Sequence, residues 1–335
     1  MENICRFSNS TKRGMINMVI KMNYWYVSTS TDGWENLAQD EYFLDTLQPR
    51  DTLLYFYINQ NAVIIGKNQN PWKECDLTAM ERDGVQLVRR ISGGGAVYHD
   101  MGNLNFSFIL GKDRYDVPRQ LDVILKAVRS FGIDCEFSGR NDLLADGKKF
   151  SGNAFCARGD LRQHHGTLLL NSDLGKLQNY LHPDPKKLKA KGVNSVRSRV
   201  GNLQIDTHSM LRAIRRAFEE SYGEVTDLSA PDGQKLLPYL EKQRSWDWRL
   251  GKTPSFDLEL SERFPWGGVQ ILLTLKEGRV SHAQVYSDAM DPALPECVSQ
   301  KLIGCRCSSQ ALYEALCGDN DRLHDIGSFL LSQHL

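Results

Sequence analysis

Three consecutive glycines, Gly93, Gly94 and Gly95, follow an apolar run and lie between two arginines and a histidine, Arg89, Arg90 and His99. Because glycine lacks a Cβ, such a backbone can approach a ligand closely and aim its N–H groups at anionic oxygens. An adjacent arginine adds charge and a planar set of donors. For a bare glycine run, a flexible hairpin turn is the alternative. The segment therefore predicts an anion site if other parts of the chain converge on it.

Further clusters of glycine with polar residues favour the anion site. They occupy 138–142, 148–154 and 164–167, and each falls in or beside a short apolar run typical of a strand. Strands that end in such clusters are expected to converge on one ligand.

Apolar periodicity predicts an α+β fold. A helix begins after Asp32 and Gly33 and ends before Pro49, and an amphipathic helix over 121–131 is closed by Gly132. Strands are predicted at 53–58, 62–65, 85–90, 104–110, 133–137, 142–145, 148–155, 166–170, 255–260, 267–276 and 279–287, and helices at 174–181, 208–222, 233–246 and near the C-terminus.

The length of 335 residues predicts two domains, since one hydrophobic core rarely serves a chain of this size. Gly251 and Pro254 lie between a predicted helix and a new series of strands, which marks a boundary. We expect a disordered extension over 1–21, a large domain over 22–248, a linker over 249–254 and a small α+β domain over 255–335.

Composition excludes several classes of protein. The 41 basic and 41 acidic residues balance, which indicates neither a nucleic-acid partner nor a polybasic membrane-binding surface. The 8 cysteines lack the spacing of a disulfide framework or a common zinc module. No apolar segment approaches the roughly 20 residues that cross a bilayer. We expect a cytoplasmic, monomeric enzyme.

The quoted clusters resemble the lipoate-protein ligase A family, and the resemblance extends from about Tyr24 to the C-terminus. It includes Gly66 with the segment 70–75, the segment 191–199, and the segment 263–269. The resemblance implies a large domain of the biotin/lipoyl ligase type, related to class II aminoacyl-tRNA synthetases, and a small accessory domain. It also implies an ATP- and Mg²⁺-dependent ligase that converts lipoate into lipoyl-AMP. The lipoyl group then passes to a lysine of apo lipoyl domains, in 2-oxoacid dehydrogenase E2 subunits and the glycine cleavage H protein.

The resemblance also implies roles for individual residues. Lys149 would be catalytic, since its ammonium can bridge the acyl carbonyl and the α-phosphate. The other residues implied in binding ATP or the adenylate are Arg90, Ser92, Gly93, Gly94, Gly95, Ala96, Val97, Tyr98, Asn141 and Asp142. Those implied in binding lipoate are Arg90, Gly95, His99, Lys149 and His165. A loop that closes over the adenylate would comprise Ala190, Lys191, Gly192, Val193, Asn194, Ser195, Val196 and Arg197.

Several alternatives remain open at this point. Asp142 is either a Mg²⁺ ligand or a strand-end residue that caps its neighbours. Lys148 is expected to be a solvated charge, and His164 a structural histidine, whereas His99 and His165 are either structural or ligand-binding. An ATP-independent octanoyl or lipoyl transferase with Cys156 as nucleophile, and a non-catalytic protein that binds lipoyl domains, are the rival functions. The sequence does not distinguish lipoate from octanoate as the substrate.

Overall fold

The structure is a computed structural model of the chain. It describes residues 21–138, 142–181, 200–251, 257–276, 278–318 and 320–333, with the backbone alone at 72–73 and 177–178. The predicted α+β fold is confirmed. The strands are β1 (Asn23–Val27), β2 (Thr52–Tyr57), β3 (Ala62–Ile65), β4 (Gln86–Arg89), β5 (Val97–His99), β6 (Asn103–Gly111), β7 (Cys135–Phe137), β8 (Asp142–Ala145), β9 (Lys148–Arg158), β10 (Leu161–Leu169), β11 (Thr226–Asp227), β12 (Leu258–Phe264), β13 (Gly267–Lys276) and β14 (Arg279–Ser287). The helices are α1 (Gly33–Thr46), α2 (Pro71–Glu74), α3 (Leu77–Arg82), α4 (Val117–Arg129), α5 (Leu177–Tyr180), α6 (Thr207–Tyr222), α7 (Gly233–Arg244), α8 (Leu294–Leu302), α9 (Ser309–Leu316) and α10 (Asp321–Leu331).

A mixed sheet of eight strands forms the centre of the described chain, in the order β11-β1-β2-β6-β10-β9-β8-β7. The pairings from β2 to β7 are antiparallel, whereas β1 pairs in parallel with both of its neighbours. A smaller sheet has the order β4-β3-β5 and carries the glycine loop between β4 and β5. The site is therefore built where the small sheet meets the middle of the large one.

Helices cover both faces of the large sheet. On one face, α4 and α6 contribute to a core that contains Ile124, Phe218 and Phe108, all of them fully buried. On the other face, α1 contributes to a second core with Leu44 and Tyr55. Full burial of each large apolar side chain contributes roughly 1.5–3 kcal/mol, so these layers hold the sheet rigid. None of the helices in the described ranges is both long enough and apolar enough to cross a membrane.

The helix boundaries follow from capping residues that the sequence displays. The Asp32 carboxylate accepts from the Trp34 N–H at 2.8 Å, which confirms the predicted start of α1. Gly132 adopts φ +77° just after α4, as the sequence predicts for a helix C-terminus. The helix predicted at 174–181 is wrong in extent, because only Leu177–Tyr180 is helical.

The strand predicted at 166–170 begins earlier, at Leu161. Residues 162–165 are Arg-Gln-His-His, and this polar run hides the strand in the sequence. Yet Gln163, His164 and His165 are buried, because the strand lies between β6 and β9 in the middle of the sheet. The alternation rule fails here because the polar side chains face the protein interior.

A turn of π-helix, Asp247–Gly251, contains the first three residues of the predicted linker. The Trp248 side chain is buried, and its Nε1–H donates to the Arg89 carbonyl at 2.9 Å. This turn is thus attached to the small sheet. After it, β12, β13 and β14 pack against α8, α9 and α10 around a core of their own, which includes Ile271 and Ile326.

Candidate active site

The glycine loop is held by close backbone contacts. Gly94 has φ +94°, a conformation that L side chains rarely adopt. A Cβ on Gly66 would lie 2.1 Å from the Gly94 carbonyl oxygen, so only glycine fits at position 66 as well. By contrast, a Cβ on Gly95 would meet no described atom within 4 Å. The loop therefore packs tightly on one side and leaves the backbone open at Gly95.

The Arg90 side chain holds the glycine loop through hydrogen bonds to its backbone carbonyls. Its Nη2 donates to the carbonyls of Gly93 at 2.6 Å and Gly95 at 2.9 Å, and its Nη1 donates to Ile64 at 3.2 Å. Burial lowers the pKa of the guanidinium to about 10, so it remains a cation at neutral pH. Most of the Arg90 donors therefore bind carbonyls of the glycine loop. The positive charge of the guanidinium lies beneath the backbone of this loop.

Arg89 is fully buried, although its position in the sequence predicts no role separate from that of Arg90. Its guanidinium donates to the carbonyls of Gly66, Lys67, Gln69, Trp248 and Arg249, at distances from 2.8 to 3.3 Å. Burial lowers its pKa to about 10. One side chain thus joins three segments that lie far apart in sequence: 66–69, the end of β4, and the π-helical turn.

A β-bulge between β8 and β9 determines the direction of Lys149. In the register, Asp142 pairs with Gly152 and Leu144 pairs with Lys149, and Phe150 is the extra residue. Lys149 and Gly152 are three residues apart, so regular alternation would put their side-chain positions on opposite faces of the sheet. Because of the bulge, they share one face. Phe150 is buried at 1% exposure and anchors the bulge.

The Lys149 ammonium lies 2.6 Å from the Asp142 carboxylate, and about a third of each side chain is exposed. A Cβ on Gly152 would come within 3.1 Å of the end of the lysine side chain, so glycine leaves room for its path. This pair brings two predicted site residues together. Since the lysine is neither buried nor enclosed, its ammonium has freedom to move between partners.

A cavity of about 340 Å³ lies between the small sheet and strands β6, β9 and β10. This volume is typical of pockets that hold small organic ligands. Predicted site residues that line it are Arg90, Ala96, Val97, Tyr98, His99, Lys149 and His165. Ser92 contacts the lining residue His165, and Asp142 contacts the lining residue Lys149. Gly93, Gly94 and Gly95 are not among the residues that line the cavity. Asn141 and the predicted closing loop, 190–197, lie outside the described residues.

The histidines in and beside the cavity are buried and uncharged. Burial, followed by the nearby Arg90 charge, lowers the pKa of His165 to about 3. Its Nε2 lies 2.6 Å from the Ser92 hydroxyl, and its Nδ1 lies 3.7 Å from the Asp40 carboxylate. His164 is fully enclosed between the Gln120 and Asn153 side chains at 2.8 and 2.9 Å, as expected of a structural histidine.

Sequence reasoning missed a set of buried polar residues around the cavity. Asn103 and Asn105 line it, and Ser107 continues the same face of β6 into the interior. Their spacing of two residues is also what the solvated face of a strand shows, so the sequence alone assigns them no role. The same spacing is the signal that could have identified them, because this face turns toward a ligand cavity instead of bulk solvent.

Cys156 is an unsuitable nucleophile in this arrangement. It packs against the core on the α1 side of the sheet and is not among the residues that line the cavity. Burial raises the pKa of its thiol, which disfavours the reactive thiolate. Among the described residues, no group of three metal-ligating side chains is present either.

Comparisons with known proteins agree with this geometry. Residues 32–219 match the catalytic domain of lipoyl protein ligases A and B, and residues 253–329 match the C-terminus of bacterial lipoate protein ligases. P. falciparum LipL1, solved in complex with lipoate, has 27% sequence identity and a TM-score of 0.75, and the alignment covers 93% of this chain and 100% of that one.

Two other solved structures resemble a smaller share of the chain. A lipoate-protein ligase A bound with ATP has 26% identity and a TM-score of 0.59, over 69% of this chain and 99% of that one. A bipartite ligase from Thermoplasma acidophilum, described with its E2 lipoyl domain, has 26% identity and a TM-score of 0.62, over 71% and 100%. The catalytic match alone spans more than half of the chain. The protein therefore belongs to the lipoate-protein ligase family.

Proposed function

We propose that this protein is an ATP-dependent lipoate-protein ligase. It would convert lipoate into lipoyl-AMP and then transfer the lipoyl group to a lysine of an apo lipoyl domain. The observation that carries the proposal is the convergence of Lys149 with Arg90 and with the segment 96–99, which follows the three glycines, on one cavity of about 340 Å³. Octanoate, which has the same length of apolar chain, is the second acid that such a cavity would accept.

The first half-reaction requires an activated carboxylate. A carboxylate oxygen of the acid attacks the α-phosphorus of ATP, the bond to the β-phosphate breaks, and pyrophosphate leaves. The open backbone at Gly95 suits a phosphate oxygen, and the Arg90 charge beneath the loop stabilises the anion. Lys149 would bridge the acyl oxygen and the α-phosphate, since its ammonium has three donors and freedom to move.

In the second half-reaction, the ε-amine of the acceptor lysine attacks the acyl carbonyl. The bond to AMP breaks, and the amine loses one proton as the amide forms. Lys149 would follow the charge from the acyl oxygen to the departing phosphate. Both steps depend on positioning and charge stabilisation, which the rigid loop and the mobile ammonium supply together.

Asp142 would be the protein ligand of Mg²⁺. A magnesium site of this kind uses one or two carboxylates together with phosphate oxygens, so a single partly exposed carboxylate beside the cavity fits it. When bound, the ion would neutralise charge on the phosphates of ATP. Lys149 would then release Asp142 and turn toward the substrate.

The segment 190–197, and parts of 249–254 and 255–335, lie outside the described residues. The loop at 190–197 would close over the adenylate and exclude water, which would otherwise hydrolyse it. A catalytic domain over 22–248, a linker over 249–254 and an accessory domain over 255–335 remain our division of the chain. Apo lipoyl domains of E2 subunits and the glycine cleavage H protein are the proposed acceptors.

The test is to incubate the purified protein with ATP, Mg²⁺ and lipoate, first alone and then with an apo lipoyl domain. Mass spectrometry should detect lipoyl-AMP in the first mixture and a lipoylated lysine in the second. Cys156→Ser should retain both activities, because its thiol does not face the cavity. Transfer from a thioester donor without ATP, abolished by Cys156→Ser, would instead establish the transferase.

A further inference from the structure

His99 contacts an asparagine through one ring nitrogen and leaves the other without a partner among the described residues. The residue lies at the end of β5, is 4% exposed and lines the cavity. Its Nδ1 lies 3.0 Å from the Asn59 side-chain nitrogen. Its Nε2 is buried and has no hydrogen-bond partner in the part of the chain that the structure describes. Which nitrogen carries the proton decides what the cavity can bind there.

The orientation of Asn59 follows from backbone groups. The Asn36 side-chain nitrogen donates to the carbonyls of Ser30 and Ile58, both at 3.0 Å, and to the Asn59 Oδ1 at 2.9 Å. Because a carbonyl only accepts, the atom of Asn36 at this point must be its nitrogen. Asn59 therefore turns its oxygen toward Asn36 and its nitrogen toward His99.

This orientation determines the tautomer of His99. The Asn59 N–H donates, so Nδ1 accepts, and the single proton of the neutral ring must reside on Nε2. The ring is neutral because burial, followed by the positive charge of Arg90 and the neighbouring His165, lowers its pKa to about 3. The Nε2–H is thus a fixed donor without a protein partner among the described residues.

A second buried atom, on another residue that lines the cavity, also lacks a partner among the described residues. The Asn105 side chain donates to the Tyr57 carbonyl at 3.1 Å, which fixes its orientation. Its oxygen then accepts from the Asn103 side-chain nitrogen at 3.0 Å, and Asn103 Oδ1 is left without a partner in the described residues. Buried polar atoms are seldom left unpaired, so the cavity is built for an occupant with polar atoms.

We propose that Asn59, oriented by Asn36, is a positioning residue that keeps His99 as a neutral Nε2–H donor to an acceptor atom of the bound acid. The identity of the acid rests on the proposed function. Neither asparagine is among the residues that line the cavity. Their role is to prevent the alternative tautomer, which would present a lone pair to the same acceptor and repel it.

The direct test is long-range ¹H–¹⁵N NMR of the histidine rings in the full-length protein, with His99→Gln to assign the signals. We expect the His99 signals of an Nε2–H tautomer that does not titrate between pH 5 and 9, and an Nε2–H signal that shifts when lipoate alone is added. An Nδ1–H tautomer, a titrating ring, or an Nε2–H that is insensitive to saturating lipoate would overturn the proposal.

A variant separates positioning from general destabilisation. In Asn59→Asp the group facing Nδ1 can only accept, so Nδ1 gains a proton. The ring is then an imidazolium at low pH and an Nδ1–H tautomer at high pH. The Kd for lipoate, measured calorimetrically without ATP, should match the wild type near pH 6 and rise about tenfold by pH 9.

The matched control is Asn23→Asp, which also changes a buried asparagine but lies in β1 and does not line the cavity. Its lipoate Kd should show no dependence on pH. An equal loss at all pH values in Asn59→Asp, or the same profile in the control, would contradict the positioning role. Because lipoate binding is measured without ATP, a failure to form lipoyl-AMP would refute the ligase proposal and leave this test intact.

Discussion

The two ends of the cavity hold their positive charges in opposite ways. At the glycine loop, Arg89 and Arg90 are buried and donate to backbone carbonyls. At the other end, Lys149 is a third exposed and pairs with one carboxylate. The loop end is therefore fixed by several strong hydrogen bonds per side chain, whereas the lysine end is held by one ion pair that solvent screens.

This difference matches the two tasks that the proposed reaction imposes. A nucleotide phosphate needs donors that are already in place before it binds, because reorganisation would reduce the stabilisation. The cation that serves two successive steps must instead shift from one oxygen to another. Substitutions at the loop end should consequently change stability first, and substitutions at the lysine end should change activity alone.

Replacing Arg89 should have the largest effect on stability. Arg89→Met removes the donors of five carbonyls and should lower the free energy of unfolding by about 3–5 kcal/mol. Denaturant titration of the full-length protein measures this change. The matched control is Arg82→Met, since Arg82 is exposed and its guanidinium pairs with the neighbouring Asp83. Equal, small losses in the two variants would refute the proposed cross-link.

Acid should destabilise the fold through its buried histidines. His99, His164 and His165 have pKa values of about 3 in the fold, so unfolding below their ordinary value of 6.5 takes up three protons. Burial raises the pKa of Asp40 to about 7, and this carboxyl releases one proton on unfolding. The net uptake of two protons predicts that stability falls by about 2.7 kcal/mol per pH unit near pH 5.

Denaturant titrations between pH 5 and 6 check this slope. His164→Gln should reduce the slope by about 1.4 kcal/mol per pH unit, because one proton fewer is taken up. His208→Gln provides the control, since His208 is exposed. An unchanged slope in His164→Gln would show that the buried ring does not have its lowered pKa.

The smallest predicted effect distinguishes two adjacent glycines. Gly94→Ala should cost about 1–3 kcal/mol, because φ is +94° and the new Cβ would lie 2.7 Å from the Arg90 guanidinium. Gly95→Ala should change stability by less than about 0.5 kcal/mol, since its Cβ meets no described atom. It should nevertheless weaken ATP binding if phosphate occupies that space. A stable Gly95→Ala protein with unchanged ATP affinity would place the nucleotide elsewhere.

The sequence predicted the parts of the molecule that depend on local patterns. The start of α1 at Asp32 and the end of α4 before Gly132 are properties of neighbouring residues, and periodicity identified the main strands. The resemblance also named Lys149 and Asp142 as site residues, and the structure places them in contact. These features need no knowledge of distant contacts.

Other features depend on segments that meet only in the folded chain. The role of Arg89 requires 66–69 and 248–249 to meet at one point, and no local pattern announces that. The bulge at Phe150 depends on its pairing with β8. The interior face of Asn103 and Asn105 looks identical in sequence to a solvated face, since both show a period of two. Only the elements that pack over this face of β6 in the folded chain distinguish an interior face from a solvated one.

The central claim is that Lys149 serves the chemistry of adenylation and not the stability of the fold. The most direct measurement is pyrophosphate release in a single turnover with ATP, Mg²⁺ and lipoate, comparing Lys149→Ala with the adjacent, exposed Lys148→Ala. We predict a loss of about a thousandfold or more in the first variant, wild-type rates in the second, and unchanged unfolding free energies in both. Wild-type pyrophosphate release by Lys149→Ala would contradict the account.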